Sequence, residues 1–278
     1  MPVIWRSLMK LKEYIYMLGF QPRPKRYGYD IRQFDVDGYG SVQYAQWLHP
    51  SESEKMIQAP AVNALCTFLE KGDFCIDIGA HSGDTALPMA LAVGTSGLVL
   101  ALEPNPYVFH VLNKNAVLNP DKTNIAPLMV AATPVDEDMV FEYSDAGFCN
   151  GGFHEGISKW KHGHAFKQTV TGIHLPSFLE KRYADRLDRL KFIKVDAEGY
   201  DLSILKSVRD IIVTFRPYLK TEVYIKTDDT YRKNMYDFLS SLGYSLYFGD
   251  DDAQLKGDPV TRDNMTALKH FDLFCVPQ

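Results

Sequence analysis

Cysteine is scarce: Cys66, Cys75, Cys149 and Cys275 are the four in 278 residues. They stand far apart, without C-x-x-C spacing and at too low a density for a disulfide scaffold, so they read as reduced, mostly buried thiols of a cytoplasmic protein. No apolar run reaches the roughly 20 residues of a membrane span, and no segment combines the apolar core and small-residue cleavage site of a secretory signal. Positive charge is not in excess. With 30 Lys+Arg against 35 Asp+Glu, net −5, no global field would draw in a polyanion, which argues against a nucleic-acid partner. Internal repeats and low-complexity segments are missing too. The G-x-G-x-x-G fingerprint is also absent, which counts against an NAD-dependent oxidoreductase. What remains is 46% apolar and 23% charged, an ordinary globular composition, at a length that suits one large α/β domain with trimmings.

Residues 1–20 place Trp5, Leu8, Leu11, Ile15 and Leu18 at amphipathic-helix spacing among Arg6, Lys10, Lys12 and Glu13. Few basic residues flank that stripe, so packing on its own domain is favoured over a membrane surface. Gln21-Pro22-Arg23-Pro24 ends the helix, because proline cannot donate a helical bond and biases its predecessor away from the helical region. Asp37-Gly38, within residues 31–47, predicts a short-loop hairpin, and residues 56–69 predict a helix. Residues 1–55 thus form an N-terminal helix and hairpin extension, and 56–278 the main domain. Strand candidates at 74–78, 98–102, 126–131, 192–195 and 218–223 alternate with helical stretches. That alternation implies right-handed βαβ units and a mainly parallel sheet with helices on both faces. A helix from Thr230 to Leu242 and strands at 244–248 and 271–276 close the sheet. Two irregular stretches, 144–167 and 249–265, have the length of lids or substrate loops.

The most informative run is Asp77-Ile78-Gly79-Ala80-His81-Ser82-Gly83-Asp84-Thr85. A strand ending in Asp, a glycine turn and a helix beginning near Asp84-Thr85 make the first strand-to-helix crossover of a nucleotide-binding domain. Gly79 supplies the turn, and Gly83 permits close approach of backbone and ligand. Twenty residues on, Glu103 ends the next strand, where a carboxylate can accept hydrogen bonds from both ribose hydroxyls. Asp77 is placed for a cationic or amino group. A nucleoside with a positive centre and no pyrophosphate is S-adenosylmethionine. The bland alternative, turn-forming glycines and a solvated strand-end acid, explains either feature alone better than both together.

With Ala101-Leu102-Glu103-Pro104-Asn105-Pro106, Leu112-Asn113-Lys114-Asn115 and Phe192-Ile193-Lys194-Val195-Asp196-Ala197-Glu198-Gly199-Tyr200-Asp201, this run resembles the FkbM family of class I methyltransferases over residues 74–248. Glu222, in Lys220-Thr221-Glu222-Val223, resembles the family's carboxylate on the following strand. The resemblance implies a Rossmann-like, seven-strand sheet with an antiparallel last strand, S-adenosylmethionine as methyl donor, and commonly O-methylation of sugars or natural products. It implies that Asp77, Gly79, Ala80, His81, Gly83, Asp84, Thr85, Glu103, Pro104, Asn105 and Asp196 hold the donor. The chain departs from the family at His81, usually Asn, and at Leu175-Pro176, usually Leu-Asp. No acidic residue follows the third strand in Val130-Ala131-Ala132-Thr133, so adenine contacts there are backbone or apolar, with Ala132 the candidate.

Methyl transfer is an in-line displacement in which the protein aligns the acceptor and takes its proton. Asp196, Glu198 and Glu222 fall at strand ends where the site of a doubly wound sheet lies. Asp196 would meet the reacting end of the donor, and Glu198 would position or deprotonate the acceptor; helix capping is the competing role for both. His154 is the base candidate from the 144–167 loop. His154, His162 and His164 make a weak zinc pattern, while Asp196, Glu198 and Glu222 would suit Mg²⁺. A divalent metal is conceivable, and no metal site is assigned. Trp47 is expected in the core rather than over the acceptor, and Asp250-Asp251-Asp252 in a solvated turn. The acceptor is expected to be a small molecule or glycan; N-methylation of a peptide or protein side chain and a non-catalytic nucleoside-binding module are the rivals. Nothing in the sequence sets the oligomeric state.

Overall fold

The computed structural model describes residues 25–143, 166–249 and 254–278. The expected N-terminal helix, the His154 loop and the Asp250–252 turn lie outside the described residues.

The hairpin is there. Strands β1 (Tyr29–Val36) and β2 (Gly40–Trp47) pair antiparallel, with Gly38 and Gly40 at positive φ closing the turn after Val36. Helix α1 (Ala59–Leu65) is shorter than the expected 56–69: Pro60 in its first turn fixes the start, and the chain passes into turns after Cys66.

From β3 (Phe74–Ile78) the chain alternates through α2 (Ala86–Val93), β4 (Leu98–Leu102), α3 (Pro106–Asn115) and β5 (Ile125–Leu128). Thr85 occupies the N-cap position of α2, so that helix begins just beyond the expected Asp84-Thr85. The expected strand at 126–131 is divided: the chain leaves the sheet after Leu128 and resumes as β6 (Ala131–Thr133). β6 pairs parallel with β8 (Phe166–His174), which pairs antiparallel with β7 (Glu137–Tyr143), making a separate three-stranded sheet. This sheet is unexpected, and Phe166 and Lys167, assigned to a loop from sequence, are its residues. Its pairing joins segments on either side of a long connection, which no local pattern announces.

Next come α4 (Leu175–Arg182), a 3-10 turn over Ala184–Arg189, β9 (Leu190–Val195), α5 (Asp201–Ser207), α6 (Arg209–Phe215), β10 (Tyr218–Val223), α7 (Asp229–Ser241), β11 (Tyr244–Gly249) and β12 (Phe271–Pro277). Pro176 sits in the first turn of α4, where a missing N–H costs nothing, so the Leu175-Pro176 departure serves as a helix start. The large sheet runs β11-β12-β10-β9-β3-β4-β5, with β12 antiparallel to both neighbours and the other pairings parallel. This is the Rossmann-like class I methyltransferase architecture expected from the sequence.

Both faces of the sheet are covered, so its central strands are apolar on both sides. Ile76, Leu100 and Ile193 pack towards α4, α5 and α7, while Cys75, Val99 and Phe192 pack towards α1, α2 and the hairpin. Among the described residues, no helix is long and apolar enough to cross a membrane.

Candidate functional site

Parallel strands aim their C-terminal ends at one edge of the sheet, and a cavity of about 260 Å³ opens there. Of the residues singled out from sequence, Gly79, His81, Asp84, Thr85, Glu103, Pro104, Ala132, Asp196 and Glu198 line it. Asp77, Ala80, Gly83, Asn105 and Glu222 do not.

The loop after β3 is built by backbone. The N–H groups of Gly79 and Ala80 both donate to Leu102 O (2.9 Å each), tying the loop to β4. Gly79 has φ +79, and a Cβ there would collide with the carbonyl oxygen of Asp196, so glycine is what lets β3 and β9 end side by side. Ala80 turns into the core and makes no cavity wall. Gly83 has φ +92, and a Cβ there would stand 3.0 Å from Leu112 Cδ1, so the glycine lets α3 pack close. His81 takes the left-handed conformation, φ +48, and its N–H donates to Glu103 Oε2 (2.9 Å). The Asn105 N–H donates to Glu103 Oε1 (2.7 Å). Glu103 is thereby oriented from both sides, and burial pushes its carboxyl up to about 7. Asn105 lies behind it and caps α3, its Oδ1 accepting from the Tyr107 N–H (2.9 Å).

Asp77 is fully buried beneath the loop, and the cation it meets is internal. Lys194 Nζ lies 3.4 Å from Asp77 Oδ1 and 3.3 Å from Asp196 Oδ2, while Thr85 Oγ1 donates to Asp77 Oδ2 (2.7 Å). Lys194 also lines the cavity. Burial pulls its ammonium down, but the carboxylates of Asp196, Asp77 and Asp84 outweigh it and hold the charge. Sequence reasoning overlooked Lys194 as a site residue, although a lysine within the apolar run of β9 was a usable signal.

Residues ahead of the doubly wound domain complete this end. Lys55 lines the cavity and pairs with Asp84 (2.7 Å) and Glu52 (3.5 Å). His81 Nε2 is 3.8 Å from Glu52, but burial drops the imidazole to about 4, so it is neutral at physiological pH. The hairpin grips the same loop: Tyr44 Oη shares a hydrogen bond with Ser82 Oγ (2.7 Å), and Asn115 Nδ2 donates to Ser82 O (2.7 Å) and Ala45 O (3.1 Å). Trp47 is buried, as expected, with its ring edge-on to His81 at 5.5 Å. Nothing in the sequence marked Lys55 or Tyr44, because their partners are distant along the chain.

At the opposite end, after β9 and β10, acids gather. Asp196 is tied down by its N–H to Ile78 O (3.0 Å), with its side chain 45% exposed. Glu198 has φ +52, a conformation that costs a non-glycine residue roughly 1 kcal/mol or more. Tyr224 hydrogen-bonds its carboxyl, which burial and then Asp196 push up to about 7. Neither acid caps a helix, since α5 has Tyr200 at its N-cap position and no side-chain cap. Asp201 accepts from Gly199 N (3.1 Å) and Thr221 Oγ1 (3.3 Å) and is raised to about 7 by burial. Glu222 lies beside these groups rather than on the cavity wall, its side chain 9% exposed. Burial, then Asp196, Asp201 and Glu198, raise it to about 9. Among the described residues, no group of three or more His, Cys, Asp or Glu could hold a metal ion.

The model of the methyltransferase FkbM domain matches residues 77–246. Solved structures similar to this chain include a methyltransferase FkbM of Methylobacillus flagellatus KT, at 15% identity and TM-score 0.46, covering 74% of this chain and 44% of that one. A SAM-dependent O-methyltransferase of Thermotoga maritima aligns at 14% identity and TM-score 0.40, covering 90% and 78%. Aeropyrum pernix fibrillarin, solved with natively bound S-adenosyl-L-methionine, aligns at 15% identity and TM-score 0.40, covering 91% and 96%. The chain thus spans less than half the length of the Methylobacillus protein. The comparison with curated proteins gave no match. The family-model match covers the donor loop, Glu103, the Asp196–Glu198 segment and Glu222, and it shows that this chain is a methyltransferase of the FkbM family.

Proposed function

We propose that this S-adenosylmethionine-dependent methyltransferase methylates a hydroxyl of a small molecule or glycan, with Glu198 as general base. The observation that carries this reading is Glu198 itself: an acid held in a strained conformation on the cavity wall, steadied by Tyr224, and raised to about 7. A base poised near the working pH combines availability with proton affinity, which a hydroxyl acceptor needs.

The cavity suits the donor. Val130, Ala131 and Ala132 offer an apolar wall for adenine. Glu103 can accept ribose hydroxyls, since a carboxylate has about four acceptor sites and two backbone N–H groups occupy only part of that capacity. S-adenosylmethionine, when bound, supplies a methyl group activated by its sulfonium. Asp196, paired with Lys194, lines the cavity and would meet the reacting end of the donor. Glu198 orients the acceptor hydroxyl and takes its proton as the oxygen is methylated. His154 is not needed in this scheme.

Calorimetry with S-adenosylhomocysteine, followed by transfer of labelled methyl to a panel of polyols and peptides, tests the reading. Glu198→Gln is expected to lower kcat about 100-fold, within the range general-base catalysis supplies, without weakening S-adenosylhomocysteine. A product methylated on nitrogen, or an unchanged kcat, overturns the assignment.

A further inference from the structure

The family-model match begins at residue 77, yet part of the cavity wall comes from ahead of it. Lys55 is that part, and the hairpin fixes its position. The buried Gln46 of β2 accepts the Lys55 N–H at Oε1 (2.8 Å) and donates from Nε2 to Ser53 O (3.2 Å) and Trp47 O (3.1 Å). A buried amide with both ends bound to the backbone of a connecting segment holds that segment to one path. The Lys55 ammonium then stands 2.7 Å from Asp84, just ahead of the N-cap of α2, with Glu52 at 3.5 Å. Burial pulls the ammonium down, but Asp84 and then Glu52 outweigh burial and keep it charged. An ammonium has three N–H donors, so one contact to each acid leaves a third. Lys194, the other lysine on this wall, is enclosed: its side chain is 7% exposed and sits between Asp77 and Asp196, whereas that of Lys55 is 26% exposed.

S-adenosylmethionine ends in an amino acid, with one carboxylate and one ammonium. The sheet order β9-β3-β4-β5 sets which part of the wall each piece of the donor meets. With adenine on the apolar wall beyond β5 and the ribose at Glu103 after β4, the amino-acid end falls at the loop after β3. That is the corner where Lys55 and Asp84 stand. We infer that the Lys55 ammonium binds the carboxylate of the donor, so that the N-terminal extension completes the donor site. Asp84 is the matching acid for the donor's ammonium, and a zwitterion laid against this ion pair meets opposite charge at both its ends. The start of α2, which has no side-chain cap, adds partial positive charge at the same corner. The inference rests on the donor placement above and is independent of the acceptor and of Glu198.

Three ligands separate the charges of the donor's amino-acid end. S-adenosylhomocysteine carries both, 5′-deoxy-5′-(3-aminopropylthio)adenosine keeps the ammonium without the carboxylate, and 5′-methylthioadenosine lacks both. Each would be titrated by calorimetry into the full chain as wild type, Lys55→Met and Lys55→Gln. Both variants are expected to weaken S-adenosylhomocysteine about 10- to 100-fold, the range for hydrogen bonds to a charged group, and to hold the other two ligands within about threefold. Binding of 5′-methylthioadenosine also reports that the cavity of each variant is intact. Unchanged affinity for S-adenosylhomocysteine in both variants overturns the inference. An equal loss for S-adenosylhomocysteine and the aminopropyl ligand, or for all three ligands, overturns it as well, because Lys55 would then shape the loop rather than hold the carboxylate. In each of these cases wild-type binding of S-adenosylhomocysteine leaves the donor reading standing. Failure of wild-type protein to bind S-adenosylhomocysteine would sink the donor placement itself, and this inference with it.

Discussion

The two ends of the cavity treat the same chemical group in opposite ways. Beside β3 and β4, carboxylates are matched: Asp77 has Lys194 and Thr85, Asp84 has Lys55, and Glu103 has two backbone N–H groups. Beside β9 and β10, carboxylates face one another, and Glu198, Asp201 and Glu222 are raised to about 7, 7 and 9. Matched acids in a low-dielectric interior are fixed in position and hold a geometry. Crowded acids trade protons near neutral pH and respond to an incoming charge. Burial raises Glu103 to about 7 as well, so what separates the two ends is their partners: internal cations and backbone N–H groups at one, like charges at the other.

The contrast can be broken by removing a match. Lys194→Met leaves Asp77 buried without its cation, and a loss of about 3–5 kcal/mol in denaturant unfolding is expected; stability within error of wild type would mean that Asp77 was never charged. Glu103→Ala tests whether the matched end holds the donor. It should weaken S-adenosylhomocysteine about 10- to 100-fold in calorimetry, the range for hydrogen bonds to a charged group, with the fold retained. Tyr44→Phe removes one hydrogen bond between the hairpin and Ser82 and should cost about 1 kcal/mol of stability. If the hairpin also moulds the loop, the KM for the donor rises more than kcat falls.

The last effect is a slope. A carboxyl whose ordinary value of 4.5 is raised to about 9 holds its proton more tightly in the folded than in the unfolded chain. Wild-type protein therefore loses stability as pH rises through that window. Glu222→Gln has no proton to give up there, so its Tm should decline less between about pH 5 and about pH 9. Parallel Tm profiles for the two proteins would show that the crowded end is not crowded in the sense argued.

Much of this was legible in residue order. The strands at 74–78, 98–102 and 218–223 stand where their apolar runs placed them, because a strand buried on both faces writes itself as a continuous apolar segment. The hairpin turn at Asp37-Gly38 follows from backbone sterics alone. The turn after β3 and its tie to Glu103 were readable because their partners lie within one βα unit and its successor. The three-stranded sheet was not, since β7 and β8 are joined by a long connection and neither pairs with its sequence neighbour in the large sheet. Glycine announces close approach but not to what, and the contact of Gly83 with Leu112 of α3 could be named only from the fold. Asp77 was expected to meet a cation and does, but the cation is Lys194 from β9.

Local composition and order were enough to set the alternation of strands and helices, the turn after β3 and the kinds of group at the strand ends, because these depend on interactions within a few residues or one crossover. Which carboxylates are paired, which are crowded, and which face the cavity was decided only when β9 and β10 came to lie beside β3 and the hairpin closed over the loop. Charge–charge energy depends on separation and burial, and neither exists until the chain has folded.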